Sequence, residues 1–244
     1  MSNVRTPPES RVRPAHPTAT RQALRVVLRD LADRSDVLSP SGNLTIGYRL
    51  TKRAIDLIGA SLLLVTLSPL MLAVILLLTV TTRGKPILRQ NRVGKHGRTF
   101  AMYKFRSMRI YQSFDEPLVE NQLNAPAFKN FRDPRVTRVG NVLRRLSIDE
   151  LPQLWNVLRG EMSLVGPRPA LPRETEAYTT RQRARLSVVP GLTGLWQISG
   201  RCDIRDFDDW IALDLAYIRG QSLRLDLSIL CRTPWSVLSC RGAY

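Results

Sequence analysis

Residues 54–80 read AIDLIGASLLLVTLSPLMLAVILLLTV, 27 positions that are nearly all apolar. A run of this length and composition belongs in a membrane by default. As one straight helix it would reach roughly 40 Å at about 1.5 Å per residue, more than a hydrocarbon core needs. Two features argue against a plain span. Ser68 and Pro69 stand near its middle, and proline removes a backbone donor and crowds the preceding turn, so a break is expected there. Both flanks are also basic, with Lys52 and Arg53 before the run and Arg83, Lys85, Arg89 and Arg92 after it. Positive flanks mark the cytoplasmic side, and here both ends claim it. A re-entrant helix–break–helix satisfies both observations. Each half holds about 13 residues, or roughly 20 Å, which suits one leaflet. The alternatives are a spanning helix with a proline kink and, behind it, a buried helix of a soluble protein.

Outward from this segment the chain changes character. Residues 1–20 are rich in Pro, Arg, Ser and Thr and read as disordered. Leu24, Val27, Leu28 and Leu31 recur at helical spacing opposite Arg21, Arg25 and Arg29, the pattern of a basic amphipathic helix lying on anionic lipid or capping the domain. Beyond the apolar run, residues 86–88 and 99–105 carry strand-type residues around a Gly94-Lys-His-Gly97 turn, which predicts a small β-hairpin. Residues 111–134 are polar and irregular, suited to a loop over a site. From Thr137 onward helical signals dominate, interrupted at 166–169 and 190–191. The expected organisation is a basic tail over 1–45, a membrane helix over 46–84 and a catalytic domain over 85–244. The expected class is α+β, helix-rich and membrane-associated.

The chain has 244 residues and a formal net charge of +17, which predicts anionic partners: nucleic acid, anionic lipid or phosphorylated substrates. Cys202, Cys231 and Cys240 form no CxxC pair, which argues against a disulfide framework or a zinc site. The two histidines, His16 in the tail and His96 in the turn, are poorly placed for catalysis.

Chemistry concentrates in DPRVTRVGNVLRRLSIDELPQLWNVLRGEMSLVGPRP, residues 133–169. Arg135, Arg138, Arg144, Arg145, Arg159 and Arg168 crowd around the adjacent carboxylates Asp149 and Glu150. Ser147-Ile-Asp-Glu150 also fits a capping box, in which the acids merely favour a helix start. Pro152 places that start near Asp149. In either reading the acids sit at a helix N-terminus, where Asp149 stays ionised and backbone donors face a phosphate. A carboxylate among guanidinium groups is a credible phosphoryl nucleophile, because arginines bind phosphate oxygens bidentately and offset charge repulsion as it approaches. Paired carboxylates and a diphosphate also invite Mg2+. Pro167-Arg168-Pro169 fixes an arginine between two rigid residues, useful where an anion must be held in place.

These segments resemble the monotopic phosphoglycosyl transferases, also called bacterial sugar transferases. The likeness covers roughly residues 50–244 and rests on KRAIDLIGASLLLVTLSPLM, QNRVGKHGRTFAMYKFRSM, the 133–169 segment and PGLTGLWQISGR, in that order. It implies that Ser68 and Pro69 mark the membrane-helix break and that Asp149 and Glu150 form a catalytic dyad, with magnesium as the metal. Asp149 would attack the sugar-bearing phosphorus of a UDP-sugar and release UMP. The phosphosugar would then pass to undecaprenyl phosphate. The resemblance gives Arg144 a phosphate contact, with Arg145 beside it, and gives Pro167, Arg168 and Pro169 a nucleotide-side loop. Gln197 and Arg201 would face the donor. The C-terminal SCRGAY is similar to exopolysaccharide-initiating members that use UDP-galactose or UDP-glucose. The implied location is the cytoplasmic face of the bacterial inner membrane, with anionic lipid as a partner, homo-oligomerisation left open and no nucleic acid. The competing reading is a non-enzymatic basic protein that binds membrane or nucleic acid electrostatically. It predicts steep salt dependence and indifference to Asp149. The basic residues interleave with Gly-Pro turns and a carboxylate pair, and build neither a recognition helix nor a stacking platform.

Overall fold

The computed structural model describes residues 45–82, 84–109, 121, 126, 130, 133–200 and 206–239. The expectations for the tail helix at 21–34, for most of the 111–134 loop, for Arg83 and for Arg201 fall outside them. The described chain is helix-rich with two small sheets, as the α+β reading anticipates.

Helix α1, Ile46–Thr81, has 36 residues. Thr45 caps it, its hydroxyl accepting from the Tyr48 amide at 3.3 Å. Contrary to the expected interruption, the helix runs unbroken through Ser68 and Pro69. The reason is local. Pro69 has no N–H for the Val65 carbonyl one turn back, and the Ser68 hydroxyl donates to that carbonyl instead, at 2.7 Å. The orphan carbonyl is satisfied inside the helix, which continues past Pro69 without an interruption. A stripe at Asp56, Ala60, Leu64, Met71, Val74 and Leu78, spaced by three, four or seven, packs on the rest of the protein. The opposite face is bare: Ile58, Val65 and Val80 are 69%, 72% and 87% exposed. Among the described residues, α1 is the one helix long and apolar enough to cross a membrane.

Strands β1 (Ile87–Val93) and β2 (Thr99–Phe105) form the antiparallel hairpin, with Val93 opposite Thr99 and Ile87 opposite Phe105. The turn between them closes through the Gly94 amide on the Arg98 carbonyl at 2.8 Å. β1 is longer than the sequence suggests because its polar Arg-Gln-Asn-Arg middle conceals a strand. Register puts Leu88, Gln90 and Arg92 on one face with Phe100, Met102 and Lys104. Phe100 and Met102 anchor that face in the core, which draws the two cations inward.

Helix α2 (Arg138–Arg145) leads through a 3₁₀ segment, Ile148–Gln153, into α3 (Leu154–Leu158). Asn156, fully buried, ties α3 to the hairpin. Its side-chain carbonyl accepts from the Tyr103 amide at 3.1 Å and its NH2 group donates to the Ala101 carbonyl at 2.8 Å. Strand β3 (Ser163–Val165) pairs in parallel with β4 (Gly191–Thr193). Gly166 and Gly191 touch backbone to backbone at this crossing, and a Cβ on Gly191 would collide with the Gly166 main chain. Short helices α4 (Pro172–Glu176), α5 (Thr180–Arg183) and α6 (Leu195–Ile198) precede α7 (Phe207–Arg219) and α8 (Leu223–Ser239), which close the core.

Candidate active site

Asp149 and Glu150 lie in the first turn of the 3₁₀ segment. The residue before it, Ser147, is left-handed at φ 55° and ψ 20°, and its side chain makes no capping bond. The capping-box arrangement is therefore not formed. A non-glycine residue in this region costs on the order of 1–2 kcal/mol. That strain turns the chain sharply between α2 and the dyad.

Four cations face the two carboxylates. Arg168 Nη1 lies 3.4 Å from Glu150 Oε1, which joins the Pro-Arg-Pro loop to the dyad across 18 positions of sequence. That loop is held by its own carbonyls. Pro167 accepts from the Gly191 amide at 2.8 Å, Arg168 from Arg185 Nη2 at 3.0 Å, Pro169 from Arg92 Nη1 at 3.1 Å and Ala170 from the Val93 amide at 2.9 Å. Arg144, the second cation, is held below its usual value by burial, against the opposing pull of Asp149 and Asp133. Arg145, one residue on, is exposed, as its position on α2 requires.

The other two cations come from the hairpin. Arg92 is buried and pushed down to about 10, by burial and then by the charge of Arg168. Lys104 donates to Gln90 Oε1 at 3.1 Å. Burial pushes its ammonium down to about 8, Arg92 and Arg168 push the same way, and Asp149 pulls back. Sequence reading placed Arg92 among the flanking charges of the membrane segment and passed over Lys104. Only FAMYKF carries a partial signal, with Phe100 and Met102 at alternate positions before Lys104.

Four positive groups around two negative ones, with Arg92, Lys104 and Arg144 depressed first by burial and then by like charge, make a site short of negative charge. Such a site suits an anionic ligand. A family model for bacterial sugar transferases matches residues 47–240. The chain belongs to the bacterial sugar transferase family. The chain is 46% identical over 199 residues to the galactosyl transferase CpsE of Streptococcus agalactiae, covering 80% of this chain and 44% of that protein. It is 42% identical over 207 residues to the exopolysaccharide production protein ExoY of Sinorhizobium fredii, covering 80% and 88%. With the undecaprenyl-phosphate galactose phosphotransferase of Salmonella typhimurium the identity is 43% over 205 residues, covering 80% and 42%. The chain thus spans less than half of two of these relatives and most of the third.

Other predicted residues have partners of their own. Gln197 is buried on α6, where Nε2 donates to the Leu192 carbonyl at 3.1 Å, so it braces β4. Arg135 pairs with Asp133 at 2.8 Å, and Arg159 with Glu161 at 3.3 Å on the surface. The described residues contain no cluster of three metal-ligating side chains. Mg2+ does not require one. It commonly takes one or two carboxylates and completes its shell with substrate phosphates and water. Asp149 and Glu150, adjacent and partly open, suit that mode.

Proposed function

We propose that the protein transfers a hexose-1-phosphate, galactose or glucose, from its UDP-sugar to undecaprenyl phosphate and releases UMP. The observation that carries this reading is the dyad turn ringed by Arg92, Lys104, Arg144 and Arg168, with Arg168 on Glu150. The names of the Salmonella galactose phosphotransferase and of the Komagataeibacter xylinus undecaprenyl-phosphate glucose phosphotransferase support the chemistry and the choice of hexose.

Asp149 Oδ attacks the sugar-bearing phosphorus, the bond from that phosphorus to the UMP oxygen breaks, and UMP leaves with the electron pair. A phosphate oxygen of undecaprenyl phosphate then attacks the same phosphorus and expels the Asp149 carboxylate. The surrounding cations offset repulsion between an anionic nucleophile and an anionic substrate. Glu150 orients Arg168. Bound Mg2+, held by Asp149 and Glu150, would neutralise diphosphate charge. Gln197 and Arg201 belong to the donor side in this reading, and the reaction starts exopolysaccharide or related polymer assembly.

In this reading α1 bends at Pro69 without ending there, and so enters and leaves one leaflet from the cytoplasmic face of the inner membrane. Two features support this: basic flanks at both ends, and Ala60 and Leu78 packing on one and the same domain. Purified protein given undecaprenyl phosphate, Mg2+ and either UDP-galactose or UDP-glucose should release UMP with one of them. Asp149→Asn should release it at least ~10³-fold more slowly while still partitioning into membranes. Ordinary turnover by that variant would refute the covalent route. Binding that ignores Asp149 and fades steeply with salt would favour a purely electrostatic binder.

A further inference from the structure

The first three turns of α1 carry polar residues where a membrane anchor needs none, and each has a defined partner. Arg53 Nη1 donates to the Val157 carbonyl and Nη2 to the Leu158 carbonyl, both at 2.7 Å, capping the end of α3. Lys52 Nζ donates to the Val165 carbonyl and to Asp226 Oδ2, both at 3.1 Å. Asp56, buried, accepts at Oδ1 from the Ser163 hydroxyl at 3.0 Å and from the Leu164 amide at 2.9 Å. β3 meets β4 through Ser163 and Val165, so the Leu164 amide faces the opposite edge, where Asp56 takes the place of a neighbouring strand. Gly59, one turn along, lets the helix lie against Leu164, since a Cβ there would come within 2.7 Å of Leu164 Cδ1.

These contacts grip both ends of the segment 157–165. Backward from it, α3 leads directly to the dyad. Forward, three residues after Val165 comes Arg168, the dyad's partner. We infer that Asp56 is a positioning residue of the active site: with Arg53 and Lys52 it clamps the catalytic helix and β3 onto the membrane helix, and so sets where Arg168 stands relative to Asp149. The membrane helix is then a wall of the catalytic centre as well as an anchor. The effect on rate rests on the proposed reaction, whereas the clamp itself does not.

Full-length protein in lipid nanodiscs tests both. Asp56→Ala should speed hydrogen exchange of the Leu164 amide, which donates to Asp56, and of the Gly166 amide, which donates to the Thr193 carbonyl at 2.9 Å. It should also lower kcat for UMP release by at least ~10-fold, with KM for UDP-sugar within about twofold, because misplacing groups costs rate more than binding. Asp56→Asn keeps an acceptor oxygen for both donors and should stay within about threefold of wild type in kcat, with Leu164 protected. Unchanged kcat in Asp56→Ala despite fast exchange at Leu164 overturns the inference. So does an Asp56→Asn variant as slow as Asp56→Ala with Leu164 still protected, since that would assign the charge, not the clamp. If Asp56→Ala does not fold, Ser163→Ala decides. A kcat lowered severalfold at an unchanged melting temperature supports the clamp, and an unchanged kcat overturns it. If the wild type releases no UMP with any donor, the proposed reaction fails instead, and exchange alone decides: protection at Leu164 and Gly166 that is equal in wild type and Asp56→Ala overturns the clamp.

Discussion

Two buried arginines in this molecule have opposite circumstances. Arg185 lies in the core and meets Asp214 at 2.6 Å, both side chains almost wholly inaccessible, with the Tyr178 hydroxyl accepting a further bond at 2.8 Å. Arg92 is as deeply buried, yet its bonds go to neutral oxygens, on Pro169 and Gln90, and the charge nearest in effect is the like charge of Arg168. The first arginine has its counter-charge built into the fold. The second, like Lys104, holds a charge the fold leaves poorly compensated. A cation of the first kind is matched within the native state and costs stability when its partner is removed, whereas one of the second kind awaits an anionic ligand.

Removing the fold's counter-charge should show the largest effect. Asp214→Ala leaves the Arg185 guanidinium buried without its partner, and should cost about 3–5 kcal/mol of stability in denaturant unfolding. If the loss is under 1 kcal/mol, the two arginines do not differ as described. Removing a cation of the other kind should do the reverse. Lys104→Met should leave the melting temperature unchanged or raise it, while KM for UDP-sugar rises about tenfold, a difference of about 1.4 kcal/mol. Lys104 also predicts opposed pH trends. Its value falls from 10.5 to about 8 in the folded protein, so between these the unfolded chain binds more protons. Stability should therefore gain a favourable increment as pH rises from about 8 towards 10.5, whereas affinity for UDP-sugar should fall over the same window as the cation is lost. Lys104→Met should flatten both trends. If titrating wild type and variant gives parallel curves, Lys104 has no part in donor binding.

The contrast also explains what could be read without coordinates. The apolar run of α1 and the Asp149-Glu150 pair among arginines are local in sequence, so composition and spacing disclose them. Arg168 was legible because prolines bracket it. Arg92 and Lys104 were not, because their burial follows from a hairpin register fixed by Phe100 and Met102, a non-local fact. The break expected at Pro69 failed for the opposite reason: a very local detail, one serine hydroxyl, offsets the missing amide. The capping-box pattern misled because it takes Ser147 to be extended, and the left-handed turn there removes its hydroxyl from the helix start.

The stripe on α1 has a practical consequence for anyone wanting this protein in water. Ala60 and Leu64 belong to one core cluster, and Val74 and Leu78 to another. Cutting the chain after residue 84 would open both clusters and expose Leu143, Phe105 and Leu164 together, and the product should aggregate. A soluble version must keep the helix and repaint its outer side, replacing Ile58, Leu62, Val65, Leu72, Leu76 and Val80 with glutamate, lysine or glutamine.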